Sequence, residues 1–214
     1  MPETKTAHAE QFDSLPQQRE TATLGMWTFL VTEVLFFGGL FLSFLVYRHA
    51  YPQAFAEASR HLSVALGGLN TGVLLTSSLT MVLACQAAEQ RRRKALAGFL
   101  LLTVLLGAAF LAIKLVEYSI DYREHLIPGK NFRADGEFPE GQEMFFYLYF
   151  FMTGLHALHL IIGIVVVSII AALAWRGRYE KYSATVENTG LYWHFVDIVW
   201  IFLFPLLYLM ERSP

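Results

Sequence analysis

Five long stretches of apolar residues, separated by shorter polar segments, dominate the hydrophobic pattern of the chain. They cover about residues 24–47, 64–88, 95–117, 144–175 and 190–210. At a rise of about 1.5 Å per residue, roughly 20 apolar residues carry an α-helix across the hydrocarbon core of a bilayer. Open sheets are excluded because lipid offers no water to their unpaired backbone groups. The pattern therefore predicts an all-α membrane protein, a bundle of five transmembrane helices.

The polar segments predict one membrane domain with a polar extension at its start. Residues 1–23 mix acidic and basic side chains and contain no apolar run like that of a cleavable signal peptide, so we expect a loosely ordered tail. Residues 24–214 then form the five-helix domain. We expect Pro52 to end the first helix and a short linker to lead into the second.

Composition supports this class and limits the chemistry. Hydrophobic residues make up 55% of the chain and charged residues 16%, a balance typical of polytopic membrane proteins. The net charge of -2 gives no indication of a nucleic-acid partner. Cys85 is the single cysteine, so the chain cannot form an internal disulfide, and its sequence indicates no cysteine-based metal site.

The charged loops predict the orientation of the bundle. The short loop between the second and third spans carries the basic run RRRK at residues 91–94. Short basic loops stay on the cytoplasmic side of a membrane. The long loop 118–143 is rich in acidic residues and is assigned to the opposite side. We therefore expect the N-terminus inside and the C-terminus outside.

Glu33 is an ionisable side chain in the middle of the first span. Intramembrane carboxyl groups are costly and are functional by default. One interpretation is a proton site, or a contact that tunes a proton site in a partner. The other is a structural carboxyl that is hydrogen-bonded between helices. The sequence leaves both interpretations open.

His156 and His159 are spaced i,i+3 and lie on one side of the fourth helix. They could serve as axial haem ligands, or as a metal site together with Glu33. Two ligands one turn apart on a single helix cannot hold one haem from both faces, however, and no HExxH motif or cysteine cluster is present. The spacing favours packed, hydrogen-bonded histidines over metal ligands.

Two further polar pairs lie in the predicted helices. His194 and Asp197 are one turn apart in the last span and could bond each other or a neighbouring helix, so a carboxyl that anchors helix packing is favoured. Pro205 then bends the helix or is accommodated by its neighbours. Lys114 and Glu117 predict a local ion pair at the end of the third span, with the lysine extending towards the membrane surface.

Motifs of self-contained enzymes are missing from the sequence. It has no Walker motif, no nucleophile elbow and no dinucleotide-binding glycine pattern. Its histidines are not distributed over several helices as a haem-oxidase core requires. We therefore do not expect a catalytic centre in this chain.

Four segments in this order resemble subunit III of the haem–copper oxidases. The first, MWTFLVTEVLFFGGLF at 26–41, resembles the glutamate-bearing helix of that family, and LAIKLVEY at 111–118 resembles its helix ending in Glu-Tyr. MTGLHALHLIIGI at 152–164 resembles its Thr-Gly-x-His-x-x-His segment. YWHFVDIVWIFLFPLLYL at 192–209 resembles its last helix. The resemblance covers the chain after residue 20, and its strength lies in the combination of motifs.

The resemblance implies an accessory subunit in a five-helix form that lacks the first two of the family's seven helices. Such a subunit carries no haem or copper, which are expected in partner subunits. It packs on subunit I, which reduces oxygen and pumps protons, and supports that subunit's stability and proton uptake. It also contacts the other oxidase subunits and the lipids of a bacterial-type cytoplasmic membrane. The matching polar positions, implied to serve packing, lipid contact and the proton environment, are Glu33, His156, His159, His194 and Asp197.

Longer members hold lipids in a cleft between their first two helices and the rest. That complete cleft cannot be transferred to a five-helix chain, which still leaves room for bound phospholipid. Within the family, a cytochrome c oxidase is favoured over a quinol oxidase or a nitric oxide reductase-associated chain. Outside it, the alternatives are an independent proton carrier using Glu33 and a haem-binding anchor using His156 or His159.

Overall fold

Helices form the whole bundle in the computed structural model, which describes residues 14–129, 132–133, 138–176 and 183–209. Within these ranges no strand occurs, and five helices are long and apolar enough to cross a membrane. The predicted all-α class and the five spans are therefore confirmed. The elements are α1 (Leu15–Ala50), α2 (Pro52–His61), α3 (Val64–Glu89), α4 (Arg93–Arg123), α5 (Pro139–Trp175) and α6 (Ser183–Phe204), followed by a π-helical turn (Pro205–Leu209).

The long helices extend beyond the predicted apolar spans, most clearly at the start of α1. This helix begins at Leu15, within the segment expected to be a loose tail. The hydroxyl oxygen of Ser14 accepts a hydrogen bond from the backbone N–H of Gln17 at 3.3 Å, and Pro16 lies in the first turn. A capping side chain and an early proline stabilise a helix start even in polar sequence. The earlier part of the expected tail, residues 1–13, lies outside the described residues.

The linker after α1 is itself helical, which the sequence reading missed. Proline is tolerated at the first helical position because the N–H that it lacks has no partner there, so Pro52 begins α2. The ring of Phe55 is buried and meets those of Phe44 and Phe145 edge to face at 5.2 and 5.4 Å. Helix α2 is therefore held against α1 and α5 by an aromatic contact that a ten-residue segment does not reveal.

Four helices form a closed ring in which α3 packs on α4, α4 on α5, α5 on α6, and α6 on α3. Helix α1 lies outside this ring against α5 and α6. More than half of the apolar window of α6 is buried, the largest share among the spans, whereas α1 has the smallest. The last span is therefore the central helix of the bundle.

Trp193 occupies the centre of the ring in a slot lined by two glycines. A Cβ atom added to Gly107 of α4 would lie 2.9 Å from the indole, and one added to Gly163 of α5 would lie 3.2 Å from it. The indole N–H donates to the hydroxyl of Ser77 on α3 at 3.1 Å. Small residues let helices approach closely in membranes, and here they let one tryptophan join three other helices.

Pro205 is accommodated without ending the last helix. The chain continues past Phe204 as a π-helical turn, and this wider turn provides room where a proline ring would clash with the preceding carbonyl. Leu207 and Tyr208 remain buried in the turn. The added turn carries the Tyr208 hydroxyl to the charged group described next.

Candidate functional site: buried polar groups of the bundle

The charged centre of the bundle is the Lys114 cluster, formed by Lys114, Glu117, Asp121, Tyr149 and Tyr208. The ammonium of Lys114 lies 2.8 Å from Glu117 Oε2 and donates to the hydroxyls of Tyr149 at 3.1 Å and Tyr208 at 3.0 Å. The Tyr208 hydroxyl donates to Glu117 Oε1 at 2.7 Å. All three donors of the ammonium thus have an acceptor inside the bundle.

The prediction that Lys114 extends to the membrane surface is wrong, because its side chain is only 4% exposed. Three aromatic rings on other elements enclose the ammonium, with the centroid of Tyr149 at 4.8 Å, that of Trp200 at 5.6 Å and that of Tyr208 at 5.7 Å. The faces of aromatic rings attract cations, more strongly where water is excluded. These contacts hold inside the bundle a charge that would otherwise be drawn to the surface.

Asp121 belongs to this cluster, and sequence reasoning assigned it to an acidic loop. It lies one turn beyond Glu117 because α4 extends to Arg123, and it is buried. Its Oδ2 accepts a hydrogen bond from the Tyr149 hydroxyl at 3.3 Å. Among the described residues of the cluster, two carboxyl groups face one ammonium. The cluster is therefore neutral only when one carboxyl carries a proton. The i,i+4 spacing of Glu117 and Asp121 was the available signal.

Glu33 and His159 form a second polar contact, at the seam between α1 and α5. The His159 Nε2 atom lies 3.1 Å from Glu33 Oε2, and its Nδ1 atom lies 2.8 Å from the Leu155 carbonyl oxygen. A carbonyl oxygen only accepts, so Nδ1 must carry a hydrogen. Nε2 can then bond the carboxyl only if a second proton lies on either Nε2 or Glu33. The Glu33–His159 pair therefore shares one proton.

This pair is only partly buried, unlike the Lys114 cluster. The side chain of His159 is 14% exposed and that of Glu33 is 18% exposed. The backbone around it is also fixed, since the Tyr192 hydroxyl donates to the His159 carbonyl oxygen at 2.9 Å. The pair joins α1 to α5 and keeps partial exposure, so both interpretations of Glu33, a proton site and a structural carboxyl between helices, stay predictions.

We expect Glu33→Gln to remove the shared proton while leaving the helix contact in place. A glutamine amide can still donate to a neutral Nε2, so the melting temperature should fall only slightly, by the equivalent of about 0.6 kcal/mol. The infrared band of the Glu33 carboxyl should disappear. This is a carbonyl band if the shared proton lies on Glu33 and a carboxylate band if it lies on His159. The matched control is Glu89→Gln, at an exposed position at the end of α3. An unchanged infrared spectrum in Glu33→Gln would contradict the shared proton.

His156 points away from His159, into the ring of four helices. It is 1% exposed, and its ring lies between Phe110 at 5.4 Å and Trp200 at 5.3 Å, measured between centroids. Neither ring nitrogen has a hydrogen-bond partner among the described residues. The two histidines therefore face different neighbours despite their i,i+3 spacing. Nowhere in the described parts of the chain do three histidine, cysteine, aspartate or glutamate residues form a group that could hold a metal ion.

His194 and Asp197 do not bond each other. The Nδ1 atom of His194 lies 2.8 Å from the Ser78 hydroxyl, which joins α6 to α3. Asp197 is 3% exposed, and neither of its carboxyl oxygens has a well-formed hydrogen bond within the described residues, although Ser78 is its polar neighbour. The expected anchoring contact of this pair is therefore made by the histidine.

We expect opposite effects on the stability of the chain from substitutions at these two positions. His194→Phe loses an interhelical hydrogen bond, worth about 0.6 to 2 kcal/mol in membrane proteins, and should lower the melting temperature in mild detergent. Asp197→Leu removes a buried carboxyl whose polar neighbour Ser78 is already bonded to His194, and it should leave the melting temperature equal or higher. If Asp197 serves the assembled complex, its loss should reduce only the yield of complex. A chain destabilised by Asp197→Leu would show instead that the carboxyl makes a stabilising contact, for example with Ser78.

Comparisons with known proteins agree on one group. The chain matches the family described as cytochrome c oxidase subunit III over residues 14–211. It is 30% identical to cytochrome c oxidase subunit 3 of Thermostichus vulcanus, over 94% of this chain and 92% of the relative. It is 32% identical to the protein of that name from Alkalihalophilus pseudofirmus, over 92% of this chain and 93% of the relative. It is 27% identical to a probable quinol oxidase subunit 3 of Staphylococcus saprophyticus, over 94% of this chain and 95% of the relative.

Proposed function

The chain belongs to the cytochrome c oxidase subunit III family, and we propose that it is an accessory subunit that stabilises the oxygen-reducing subunit of a proton-pumping cytochrome c oxidase. Membership makes it subunit III of a haem–copper oxidase, of the cytochrome c or quinol type. It is a multi-pass membrane protein in an oxidoreductase complex and associates with other oxidase subunits. The stabilising role, direct contact with subunit I and the donor are our proposals.

The internal pairing of its polar groups supports an accessory role without a catalytic centre in this chain. The three donors of Lys114 are used within the bundle, and both ring nitrogens of His159 lie within hydrogen-bond distance of acceptor groups. His156 has no hydrogen-bond partner among the described residues and is held by packing between two aromatic rings. Side chains engaged in this way hold helices together, and haem and copper are accordingly proposed to reside in partner subunits.

The observation that carries the proposal is the Glu33–His159 pair. It holds a proton inside the membrane yet keeps partial access from the outer face of the bundle. Intramembrane ionisable residues mark proton relays where they meet a water-filled path. Placed beside the proton entry of subunit I, such a pair would buffer protons at that entry without reacting with oxygen.

The outer face of α1 supports contact with another membrane subunit. Helix α1 gives the bundle few buried positions. Trp27, Phe29 and Leu35 are exposed by 54%, 41% and 71%. This apolar surface suits either lipid or a partner helix, and Glu33 lies on the same helix. We propose that α1 places the Glu33–His159 pair against subunit I.

The relatives support cytochrome c as the donor and a bacterial cytoplasmic membrane as the location. The two cytochrome c oxidase relatives are 30% and 32% identical to this chain, and the quinol oxidase relative is 27% identical. All three are named from bacteria. The predicted orientation, with the N-terminus inside, belongs to the same proposal.

The test is a gentle purification of the tagged chain from its native membrane, followed by a reduced-minus-oxidised spectrum and subunit mass spectrometry. We expect haem bands together with large partner subunits, whose identity names the donor. A colourless chain that purifies alone and conducts protons in liposomes would instead support an independent carrier. A coloured chain that purifies alone would make its histidines haem ligands.

The stabilising role needs a second measurement on the same complex. Removing the chain should shorten the working life of the oxidase or slow its proton uptake, because both are proposed to depend on contact with subunit I. Turnover with subunit I reconstituted alone provides the comparison. Unchanged lifetime and uptake after clean removal would leave only a role in assembly.

A further inference from the structure

A groove between α4 and α5 opens onto the outer surface of the bundle. Its volume is about 280 Å³. Helix α4 lines one wall with Ala97, Leu101 and Val104. Helix α5 lines the other with Ser168, Ala171, Ala172 and Trp175. The small alanines leave space along the contact between the two helices that a larger side chain would fill.

The groove has the polarity of an acyl-chain site. Its only polar lining side chain is Ser168, whose hydroxyl already donates to the carbonyl oxygen of Ile164 at 2.6 Å. The remaining lining is aliphatic apart from the indole of Trp175. An occupant therefore meets mostly apolar surface, with the indole N–H of the exposed Trp175 as the remaining polar group, which suits a hydrocarbon chain below a polar head group.

The groove and the lysine that precedes it together lie along one half of the membrane-spanning part of α4. Lys94, Ala97, Leu101 and Val104 follow one another at i, i+3, i+7 and i+10, so they share a face of α4. From Lys94 to Val104 the helix rises about 15 Å, half of a hydrocarbon core of about 30 Å. The groove therefore runs from the membrane surface towards the midplane.

Basic residues surround the mouth of the groove. Lys94 lies one turn before Ala97 on the same face, and the residues of the run 91–94 are all exposed. Helix α5 ends at this membrane face with exposed Trp175 and Arg176. Glu89 is the one acidic residue in the turn between α3 and α4. The mouth therefore has a marked excess of positive charge beside a tryptophan at a depth typical of the membrane interface.

The turn that presents these bases holds a conformation usually given to glycine. Arg91 has a φ of 55°. Its N–H donates to the carbonyl oxygen of Ala88 at 3.0 Å, and that of Arg92 donates to Ala87 at 2.9 Å, which closes the end of α3. Glycine is the common choice at such a position. The chain thus keeps an arginine where the backbone conformation favours a residue without a Cβ atom.

From these features we infer that the groove between α4 and α5 binds an anionic phospholipid. One acyl chain lies between the helices, and the phosphate lies near Lys94 and the adjoining arginines. A helix of a partner subunit fits less well, because the mouth of the groove carries charge suited to a phosphate. Lys and Arg side chains near a membrane surface attract anionic lipids. The site lies apart from the Glu33–His159 pair and does not depend on the proposed donor.

The test uses the chain in its native complex, reconstituted into vesicles with a photoactivatable phosphatidylglycerol that carries the reactive group on its acyl chain. We expect cross-links in peptides that contain residues 97–104 and 168–175. Unlabelled phosphatidylglycerol should compete at a mole fraction about fivefold lower than phosphatidylcholine does. Cross-links spread evenly over the lipid-facing surface, or equal competition by the two lipids, would overturn the inference.

Two variants with matched controls test the two parts of the site separately. Ala172→Trp fills the groove from an exposed position and should abolish the local cross-links, whereas Ala22→Trp, an exposed alanine of α1 at the same membrane face, should not. Lys94→Gln should weaken the preference for phosphatidylglycerol about fivefold, and Arg19→Gln on α1 should leave it unchanged. Retained lipid cross-links in Ala172→Trp, or cross-links from the groove to another subunit, would also overturn the inference.

Discussion

Lys114→Met should destabilise the chain by about 3 to 5 kcal/mol, the cost typical of breaking a buried ion pair from one side. The substitution removes the ammonium but leaves Glu117 and Asp121 buried, with only tyrosine hydroxyls as donors. The melting temperature in mild detergent should fall sharply, and the amount of this subunit in purified oxidase should fall with it. Arg123→Met is the matched control, because it removes a cation from an exposed position of the same helix.

A second substitution separates loss of the pair from loss of the lysine side chain. The double variant Lys114→Met, Glu117→Leu also removes the Glu117 carboxyl, which the single variant leaves without its cation. The double variant should therefore be more stable than Lys114→Met alone. Replacing both partners of a buried pair by apolar residues is often neutral. A Lys114→Met variant that melts like the unmodified chain would show that the cluster carries no net stabilising contact.

Gly107→Ala should be the second most damaging of the substitutions considered, at about 1 to 3 kcal/mol. Its Cβ would lie 2.9 Å from the Trp193 ring and 3.2 Å from Ile164, which are side chains of two other helices. Trp193 is fully buried and bonded to Ser77, so the indole has little room to shift. The contact between α4, α5 and α6 would have to widen, and the fluorescence of the bundle should report a displaced tryptophan.

Gly98→Ala on the same helix provides a control, because its expected effect on stability is neutral or favourable. A Cβ at Gly98 would meet nothing within 4 Å. Alanine is the better helix former by about 1 kcal/mol, so this variant should melt at the same or a higher temperature. If Gly107→Ala and Gly98→Ala changed the melting temperature equally, packing against Trp193 would not be the cause.

The sequence was sufficient to predict the elements that depend on local hydrophobicity. Each of the five spans contains enough consecutive apolar residues to be recognised without knowledge of its neighbours. Helix α2 escaped prediction because its contacts, such as Phe55 with Phe145, are made by a short segment with few apolar residues. The start of α1 depends on the cap at Ser14 rather than on hydrophobicity.

The polar contacts were less predictable because their partners are distant in the chain. The i,i+3 spacing of Lys114 and Glu117 indicated an ion pair, but burial of the lysine depends on Tyr149 and Tyr208, which lie 35 and 94 residues away. Likewise, the spacing of His194 and Asp197 suggested a mutual bond. The partner of the histidine is Ser78, 116 residues earlier. The spacing of polar residues on one helix identifies candidate site residues, but their hydrogen-bond partners lie on other helices.

The central position of α6 has a consequence for the synthesis of the protein in the cell. Helices α3, α4 and α5 leave the ribosome first and have no ring to close until α6 follows. During that interval Ser77 lacks the indole of Trp193, and Lys114 lacks the hydroxyl of Tyr208. The nascent chain therefore holds an incompletely solvated charge in the membrane, the kind of defect that insertion factors and membrane proteases recognise. The bundle can complete its polar contacts only after α6 has entered the membrane and closed the ring of four helices.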